Sequence, residues 1–577
     1  MSSDNRSGLP EYLDAFEGRE DDFLFYYDID KSGRINRRHW SRKEFYSLAH
    51  KAAEVLRSNE LKKGDCFCLC VGANQPLDLA FRLGATMIGA IPATINWQAD
   101  TLERIKYKIK LTHSRLIIRD DVFKADHLAD LQNQFPEISI FHLTELENSD
   151  KLESAKVVQE LPDEATRITI FTSGTTGLPK GVELPYRSYR TNRATFEQFL
   201  QIDHKDRFAV FIVNPLHHAN STAITDWAMR RPGTHIHLLP RYATVYWKIL
   251  AQTAEGSYDR IVAPTVSRHF DYLEALDNAN RLPVSVDKLK AGMAKVDFLI
   301  GSAPVGPKTI ERLLHYTGRI PAVRFGATET CLQCIGIPMS LPEDAKRKAF
   351  EKGWYYNHGD TPQPGYYIGR PHQPHTDARI VKSITTGEPD FMQDSETGRP
   401  GYLAVSGNHL MSAYTRAPDQ TQGVFHHNWY MGLKDICYTL VSDHDGELDY
   451  YWMSRDSMML IRGGANYAYD QINTEIQAAL ADQYNLNIEA FDLAVVGLKV
   501  ESEHEDACCL TLEVKSPMTK KKLPSDATLL KNTLNQTVSK SAKIDYLRFG
   551  TIPRNFKGTV LVKKLAAEWK IWLQQGD

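Results

Sequence analysis

The sequence predicts an α/β protein in which a large N-terminal domain of mostly parallel, helix-covered sheets and a smaller antiparallel region precede a small α+β C-terminal domain. Strand-like and helix-like patterns alternate up to about residue 340, which is typical of parallel sheets with helices on both faces. From about residue 458 the chain has its own helices and strands. With 577 residues it is also too long for one hydrophobic core.

The first 150 residues contain helices between short apolar strands. Apolar residues repeat at helical spacing in the segment 41–59: Phe45, Leu48, Ala52, Val55 and Leu56. The alternating cysteines of DCFCLC (residues 65–70) predict one face of a buried strand. A helix rich in small residues (76–90) follows, and then strands at 91–96 and 114–121. This order predicts a parallel sheet.

Residues 160–340 continue the same rhythm. The predicted strands are ITIFTSG, RFAVFIVN, THIHLLP, RIVAP, VDFLIGSA and AVRFGA. Several of them end in Gly, Ser, Thr or Asn where a helix should begin. Ligands of open parallel sheets bind at these carboxyl ends, so we expect the site there.

The remaining chain changes character twice. Residues 341–450 look irregular and antiparallel, and the polar segment 342–367 is expected to be an exposed excursion. Beyond residue 458, the sequence predicts helices at 470–484 and 526–540 and strands at 492–500 and 507–514. This last segment is long enough to fold as a small α+β domain.

The composition limits the classes of function. The net charge of −3 gives no electrostatic reason to expect a nucleic-acid or membrane partner. No apolar run is long enough to span a bilayer, and the termini carry no recognised targeting signal, so we expect a cytoplasmic protein. The eight cysteines are expected to be buried and reduced. Cys331 and Cys334 form a lone C-x-x-C, which supports neither zinc nor redox chemistry.

The strongest chemical signal is ITIFTSGTTGLPKGVEL (168–184). An apolar strand runs into a turn rich in glycine and hydroxyl groups, where the backbone can approach a ligand closely. The candidate polyphosphate-binding residues are Thr172, Ser173, Gly174, Thr175, Thr176, Gly177 and Lys180. The glycine spacing differs from that of a Walker A loop, which disfavours P-loop kinases and ATPases.

The intact pattern T-S-G-T-T-G-x-P-K-G (172–181) resembles the signature of the AMP-dependent synthetases and ligases, which include acyl-CoA synthetases, peptide-synthetase adenylation domains and beetle luciferases. The resemblance runs along nearly the whole chain. It implies a large domain (1–454), a hinge at about 454–457, a small mobile lid domain (458–577) and an active site between the two domains.

Three further segments match the family in order. NPLHHANST (214–222) places His218 at a motif histidine that borders the acid pocket in relatives. IGSAPVG (300–306) resembles a turn that packs on adenine through Ser302 and Ala303. RFGATET (324–330) resembles the aromatic-Gly-x-Thr-Glu motif. The resemblance implies adenine stacking on Phe325, neighbouring backbone at Gly326 and Ala327, an α-phosphate contact from Thr328, and Mg²⁺ held by Glu329.

The ribose contacts are expected further along the chain. NWYMGLKDI (428–436) fits the family's aspartate motif with one extra residue, which makes Asp435 the candidate ribose ligand. Arg455 would also contact ribose and phosphate. GWYYNHGD (353–360) looks superficially closer to that motif but lies in the wrong order, so Asp360 is disfavoured.

The C-terminal part departs from the family pattern. Ser457 stands where a hinge Asp or Lys is usual, and Thr559 stands where relatives carry a catalytic lysine. Lys557 lies two residues earlier, on the same side of an extended segment, and is our candidate for the missing charge. Lys563 and Lys564 are the alternatives.

The resemblance implies an ATP-dependent enzyme that converts a small carboxylic acid into acyl-AMP and pyrophosphate and then transfers the acyl group to a thiol. ATP and Mg²⁺ are the expected cofactors, and coenzyme A is the expected acceptor. A stand-alone ligase that loads a carrier protein is the alternative acceptor hypothesis. A non-catalytic nucleotide-binding relative is a different class of answer, and the altered lysine and hinge positions favour it.

Overall fold

The computed structural model describes residues 7–30, 33–97, 100, 102–122, 125–158, 160–172, 179–301, 305–455, 459–462, 465–498, 500, 506–539, 542–555 and 558–575. Their strands form sheets of fifteen, seven and three strands and two short two-stranded ribbons. None of the helices in these ranges is long and apolar enough to cross a membrane.

Helices and strands alternate through the first 354 residues. Up to residue 200 they are α1 (Leu13–Phe16), β1 (Asp22–Ile29), β2 (Ile35–Ser41), α2 (Arg42–Ser58), β3 (Cys66–Cys70), α3 (Pro76–Ile88), β4 (Ile91–Thr94), α4 (Leu102–Thr112), β5 (Leu116–Arg119), α5 (Ala125–Gln134), β6 (Ser139–His142), β7 (Thr166–Thr172), β8 (Lys180–Pro185) and α6 (Tyr186–Leu200). They continue as β9 (Phe208–Ile212), α7 (Ala219–Arg230), β10 (Thr234–Leu238), α8 (Tyr246–Ala254), β11 (Arg260–Thr265), α9 (Ser267–Asn278), α10 (Val286–Met293), β12 (Val296–Ile300), α11 (Pro307–Thr317), β13 (Ala322–Phe325), β14 (Ile335–Gly336) and α12 (Glu343–Trp354).

The rest of the chain is richer in short strands. Residues 357–455 form β15 (Asn357–His358), β16 (Thr361–Pro362), β17 (Tyr366–Pro371), β18 (Asp377–Val381), β19 (Gly401–Ser406), β20 (Ala413–Tyr414), α13 (Pro418–Gln422), β21 (Phe425–His426), β22 (Trp429–Tyr430), β23 (Asp435–Val441) and β24 (Leu448–Arg455). The last elements are β25 (Met459–Arg462), β26 (Ala465–Ala468), α14 (Tyr469–Tyr484), β27 (Phe491–Leu498), β28 (Ala507–Val514), α15 (Pro517–Lys522), α16 (Ala527–Thr537), β29 (Tyr546–Phe549) and α17 (Val562–Gln575).

The two large sheets confirm the predicted α/β class. The seven-stranded sheet has the order β20-β8-β7-β4-β3-β5-β6, with parallel pairing from β7 to β6. In the fifteen-stranded sheet, β1, β10, β9, β11, β12 and β13 are parallel neighbours. From β13 onward the pairing becomes antiparallel, as expected for residues 341–450.

Helix α2 shows why the predicted segment 41–59 is helical. Its N-cap, Ser41, accepts a hydrogen bond from the amide of Glu44, and the Glu44 carboxylate accepts one from the Ser41 amide at 2.8 Å. This capping box satisfies two amides that the helix leaves without intrahelical partners. The apolar stripe read from the sequence, including Phe45 and Leu56, is buried against the core.

One expected excursion is partly a core element. Residues 342–367 include helix α12, whose Phe350 is fully buried and packs edge-on against Tyr367 with ring centroids 5.6 Å apart. An apolar face is formed by Ala345, Ala349 and Phe350. The sequence analysis missed this face because the segment is rich in lysine and looks polar in composition. Asp360 lies exposed in the turn between β15 and β16, away from any core.

The residues from 460 onward have a hydrophobic core of their own. It contains Ile476 from α14, Val496 from β27, Leu510 from β28 and Trp569 from α17. Trp569 is fully buried, and its indole donates a 2.9 Å hydrogen bond to the Thr511 hydroxyl. The helices and strands predicted for this segment are confirmed.

The contact between α2 and α3 predicts that Gly84 cannot carry a side chain. A Cβ at Gly84 would lie 2.6 Å from the carbonyl oxygen of Ala49 and 2.8 Å from the amide nitrogen of Ala53, so two helix backbones must separate. We expect Gly84→Ala to destabilise the fold by about 1–3 kcal/mol and to lower the thermal unfolding midpoint.

The matched control is Gly292→Ala in α10. There a Cβ would make only ordinary contacts, the nearest at 3.5 Å to Ala254. Because alanine favours a helix by up to about 1 kcal/mol over glycine, the midpoint of this variant should stay or rise. Equal midpoints for both variants would contradict the proposed close packing.

Candidate active site

The predicted polyphosphate turn joins two paired strands. Thr172 ends β7 and Lys180 begins β8, and the two residues face each other in the antiparallel ladder. Ser173, Gly174, Thr175, Thr176 and Gly177 lie outside the described residues. The structure therefore places both ends of the turn side by side, on the neighbouring strands β7 and β8 of the seven-stranded sheet.

Glu329 is connected to this turn through Tyr414. The Tyr414 hydroxyl donates a 3.1 Å hydrogen bond to Oε1 of Glu329, and the Nζ of Lys180 lies 4.7 Å from the centre of the Tyr414 ring. The Met411 amide also donates to the Glu329 carbonyl at 2.8 Å. The two segments on which the sequence interpretation depends are thus neighbours in space.

Tyr414 was missed by the sequence analysis. It lies in β20, which adds to the edge of the seven-stranded sheet by pairing Tyr414 with Val182. The two-residue strand is too short for periodicity to identify it. An aromatic residue directly before a polar turn was the available signal, and it is weak.

The charges around Lys180 determine its electrostatics. Burial lowers the pKa of Lys180, the Glu329 carboxylate raises it, and the positive charges of Lys434 and Lys563 lower it further. Burial and the Glu329 carboxylate raise the pKa of Tyr414, so its hydroxyl stays protonated and can donate. Lys180, Lys434 and Lys563 thus place three positive charges near the single negative charge of Glu329. This excess of positive charge suits the binding of a polyanion.

The segment from Phe325 to Thr328 leaves the end of β13 and enters a 3₁₀ turn. Its sharp bend is held by the Thr330 hydroxyl, which accepts a 2.8 Å hydrogen bond from the Ala327 amide. A Cβ at Gly326 would lie 2.1 Å from the Leu332 carbonyl oxygen, so only glycine fits there. Phe325 and Ala327 remain half-buried, which leaves surface for a ligand.

Asp435 begins β23 as a fully buried side chain. The Trp452 indole donates a 2.8 Å hydrogen bond to its Oδ1, and Arg455 faces it in the antiparallel ladder with β24. The structure describes only the backbone of Arg455. Lys434, which precedes Asp435, has a φ of 55° in the segment that carries the extra residue.

Cys334 links Asp435 to the Phe325 segment. Its amide donates to the Phe325 carbonyl at 3.0 Å. Burial raises the pKa of the Cys334 thiol to about 12, with the Asp435 charge as a further cause. The pKa of Cys331 is also raised by burial. Both thiols are protonated and buried, as the sequence predicts, and they lie beside the site.

His218 is the N-cap residue of α7, and its ring lies tilted against that of His217, with centroids 4.3 Å apart. Two residues on, the Asn220 side chain accepts a 2.9 Å hydrogen bond from Nη2 of Arg324, the residue before Phe325. The His218 segment therefore packs against the same strand end as Phe325.

Ser302, Ala303 and Lys557 lie outside the described residues. Thr559 is described, and its amide donates a 3.0 Å hydrogen bond to the Asn555 side chain. Among the described residues, no group of three or more His, Cys, Asp or Glu side chains could hold a metal. Glu329 remains the candidate carboxylate ligand, and Mg²⁺ in nucleotide sites is usually shared between one or two carboxylates and phosphates.

Known proteins share this architecture. The profile of the AMP-binding enzyme family matches residues 18–415, so the chain belongs to that family. It is an AMP-forming acid–thiol ligase: it adenylates a carboxylic acid with ATP and passes the acyl group to a thiol.

Curated relatives are distant in sequence. The chain is 23% identical over 448 residues to the indoleacetate–CoA ligase of Aromatoleum aromaticum, covering 75% of this chain and 77% of the relative. It is 26% identical over 315 residues to the sulfoacetate–CoA ligase of Cupriavidus necator. That match spans 54% of this chain and about half, 52%, of the relative.

Solved structures show the same fold. MatB of Rhodopseudomonas palustris with ATP bound superposes with a TM-score of 0.72 at 18% identity, covering 97% of this chain and 99% of that one. The o-succinylbenzoate coenzyme A synthetase of Bacillus subtilis with ATP and magnesium gives 0.72 at 18% identity, with 97% and 98% covered.

The contacts of Tyr414 predict that its ring and its hydroxyl contribute separately. Tyr414→Phe keeps the ring beside Lys180 but removes the donor to Glu329, so we expect kcat/KM for ATP to fall about tenfold, as for a lost bond to a charged group. Tyr414→Leu removes both and should fall further. ATP–pyrophosphate exchange measures both variants.

Tyr355→Leu serves as the control because Tyr355 is 71% exposed and lies outside the site. It should behave as the unaltered protein. If Tyr414→Leu also retains full exchange, Tyr414 does not connect the two segments in the working enzyme.

Proposed function

We propose that the space between Lys180 and Glu329 binds the triphosphate of MgATP for attack by an acid on the α-phosphorus. The observation that supports this is the Lys180–Tyr414–Glu329 contact, which joins the polyphosphate turn to the candidate metal ligand. Residues Thr172 to Lys180 would hold the leaving pyrophosphate. Such a reaction needs positioning and charge neutralisation more than covalent help from the protein.

The residues present fit Mg²⁺. Glu329 offers hard oxygen ligands beside a cation-rich surface, and Mg²⁺ in nucleotide sites is usually held by one or two carboxylates together with phosphates. When bound, the ion would offset charge on the leaving pyrophosphate. Tyr414 orients the carboxylate through its hydroxyl.

The rest of the nucleotide would lie along the end of β13. Phe325 would stack on adenine together with the Ser302–Ala303 turn, and Thr328 would bond the α-phosphate. The close backbone approach at Gly326 supports a bend of this kind beside the ligand. Asp435 and Arg455 would bind the ribose hydroxyls, and Cys334 links Asp435 to the adenine side.

We propose a division into domains 1–454 and 458–577, with a hinge at 454–457. The separate hydrophobic core from residue 460 onward supports it. The positive charge of Lys563 acts on Lys180, which supports a C-terminal domain that contributes cations to the phosphate site. Rotation of this domain would then expose the acyl-adenylate to a thiol.

Coenzyme A is the proposed acceptor, because the relatives are named as CoA ligases. A carrier-protein thiol is the alternative, and a cytoplasmic location remains a prediction. The relatives are named for sulfoacetate, indoleacetate and 2-succinylbenzoate. These acids differ in size and in charge, so the names alone select no acid for this chain.

Glu329→Gln tests the metal ligand. We expect ATP–pyrophosphate exchange to fall by about 10²–10³, the usual effect of losing one preorganised electrostatic contact, and we expect a higher magnesium concentration for half-maximal rate. Asp360→Asn, in the exposed turn of the disfavoured motif, is the control and should match the unaltered protein. Unchanged magnesium dependence in Glu329→Gln would rule out this carboxylate as the ligand.

Lys557→Ala tests the source of the missing charge. We expect acyl-adenylate formation to fall by about 10²–10³, while thioester formation from preformed acyl-adenylate falls less. Lys563→Ala is measured beside it, and Lys570→Ala on the exposed face of the same C-terminal helix is the control. Full adenylation activity in Lys557→Ala with loss in Lys563→Ala would move the role to Lys563.

A further inference from the structure

Arg324 is a buried cation with no carboxylate beside it in the part of the chain that the structure describes. Its side chain is 5% exposed, and burial lowers its pKa to about 9, which still leaves the guanidinium charged at neutral pH. Nη2 donates to Asn220, but Nε is buried without an acceptor among the described residues. An uncompensated buried charge is costly, so this guanidinium calls for an explanation.

Other buried arginines of the chain are compensated. Arg82 pairs with Asp78, Arg230 with Glu11, and Arg42 with Asp21. Arg231 has several carbonyl acceptors instead, including that of Asp203 at 2.8 Å. Arg324 is bonded to one neutral amide, and within the described residues no carboxylate raises its pKa.

The neighbours of Arg324 are polar and neutral. Directly across the ladder lies Gly336, where a Cβ would come within 2.9 Å of His372. Burial and nearby positive charges, including Arg324, lower the pKa of His372 to about 3, so the ring is uncharged at neutral pH. Gln333 is 1% exposed and its Nε2 lies 3.2 Å from Nε2 of His372. We call Arg324, Asn220, Gln333 and His372 the Arg324 cluster.

The Arg324 cluster lies where the acid is expected. Arg324 directly precedes Phe325, and Asn220 stands in the first turn of α7, two residues after His218. The amides at a helix N-terminus favour negative charge, because the first turn has no intrahelical acceptors. The Arg324 guanidinium and the N-terminal turn of α7 therefore meet beside the strand end that the nucleotide would share.

We propose that the Arg324 cluster binds a second anionic group of the acid, a carboxylate or a sulfonate, so that the enzyme activates short dianionic acids. This inference rests on the proposed function. The distal anion would accept hydrogen bonds from Arg324 and supply the missing counter-charge, while the reacting carboxylate points toward the α-phosphate. Planar guanidinium groups suit bidentate binding of such anions.

The test compares acids matched in length that differ only in the second charge. Succinate is compared with butyrate, glutarate with pentanoate, and 3-sulfopropionate is added as the sulfonate. We expect the unaltered protein to favour the dianionic acid of each pair in ATP–pyrophosphate exchange. In Arg324→Met, kcat/KM for the dianionic acid should fall about 10²-fold or more, while KM for ATP stays and the monocarboxylate is not lost.

A second variant does not depend on removing a buried side chain. Asn220→Asp is nearly isosteric and gives Arg324 a carboxylate partner inside the protein. It should abolish the preference for dianionic acids by neutralising the guanidinium and repelling the second anion. Arg324→Lys keeps the positive charge but loses the planar, bidentate donor geometry of the guanidinium, so it should retain part of the preference for dianionic acids. Circular dichroism and ATP binding verify that each variant is folded.

The outcomes separate this inference from the proposed function. If neither the unaltered protein nor any variant shows ATP–pyrophosphate exchange with any of these acids, the proposed function itself is overturned. Exchange that favours monocarboxylates in the unaltered protein would overturn only the role of the Arg324 cluster. A preference for dianionic acids that survives in both Arg324→Met and Asn220→Asp would also overturn it, because another group must then bind the second anion.

Discussion

The site depends on one aromatic side chain that holds a cation and a carboxylate from different sheets. The face of Tyr414 lies beside Lys180 and its hydroxyl donates to Glu329. Tyr414 itself is carried by β20, on the edge of the seven-stranded sheet, whereas Glu329 follows β13 of the fifteen-stranded sheet. Tyr414 therefore connects Lys180, at the end of the polyphosphate turn, to the candidate magnesium ligand.

Unbalanced positive charge appears at both ends of the proposed reaction path. At the phosphate end, Lys434 and Lys563 lower the pKa of a partly buried Lys180. At the acid end, Arg324 is buried beside the neutral amide of Asn220. Positive charge held in a partly dehydrated site is costly without a counter-ion and strengthens anion binding. The substrates would supply the missing negative charge. The same positive side chains would then both bind the substrates and have their own charge compensated by them.

The sequence predicted the fold class because this class follows from periodicity, and it placed the candidate site by one dense motif. The alternation of strands and helices up to residue 340 predicted parallel sheets, and these form. The polar helix α12 was misjudged, because lysines masked the apolar face that carries Phe350. Local patterns could not reveal Tyr414, whose role depends on pairing between strands more than 200 residues apart in the chain.

Arg324 shows the same limit more sharply. In the sequence RFGATET, an arginine beside the motif would be expected on the surface. Only the structure shows that Arg324 is buried without a carboxylate partner among the described residues. Burial of a charge depends on the packing of α7, β14 and the segment after β17 around it. The role of Lys557 is a different case, because the sequence itself shows that this lysine lies two residues before the position where the family has its lysine.

A crystal structure with a non-hydrolysable ATP analogue and Mg²⁺ tests the central claim most directly. The account predicts the triphosphate beside residues 172–180 and a magnesium ion about 2.0–2.1 Å from a Glu329 carboxylate oxygen. A triphosphate bound elsewhere, or a magnesium ion without contact to Glu329, would contradict it.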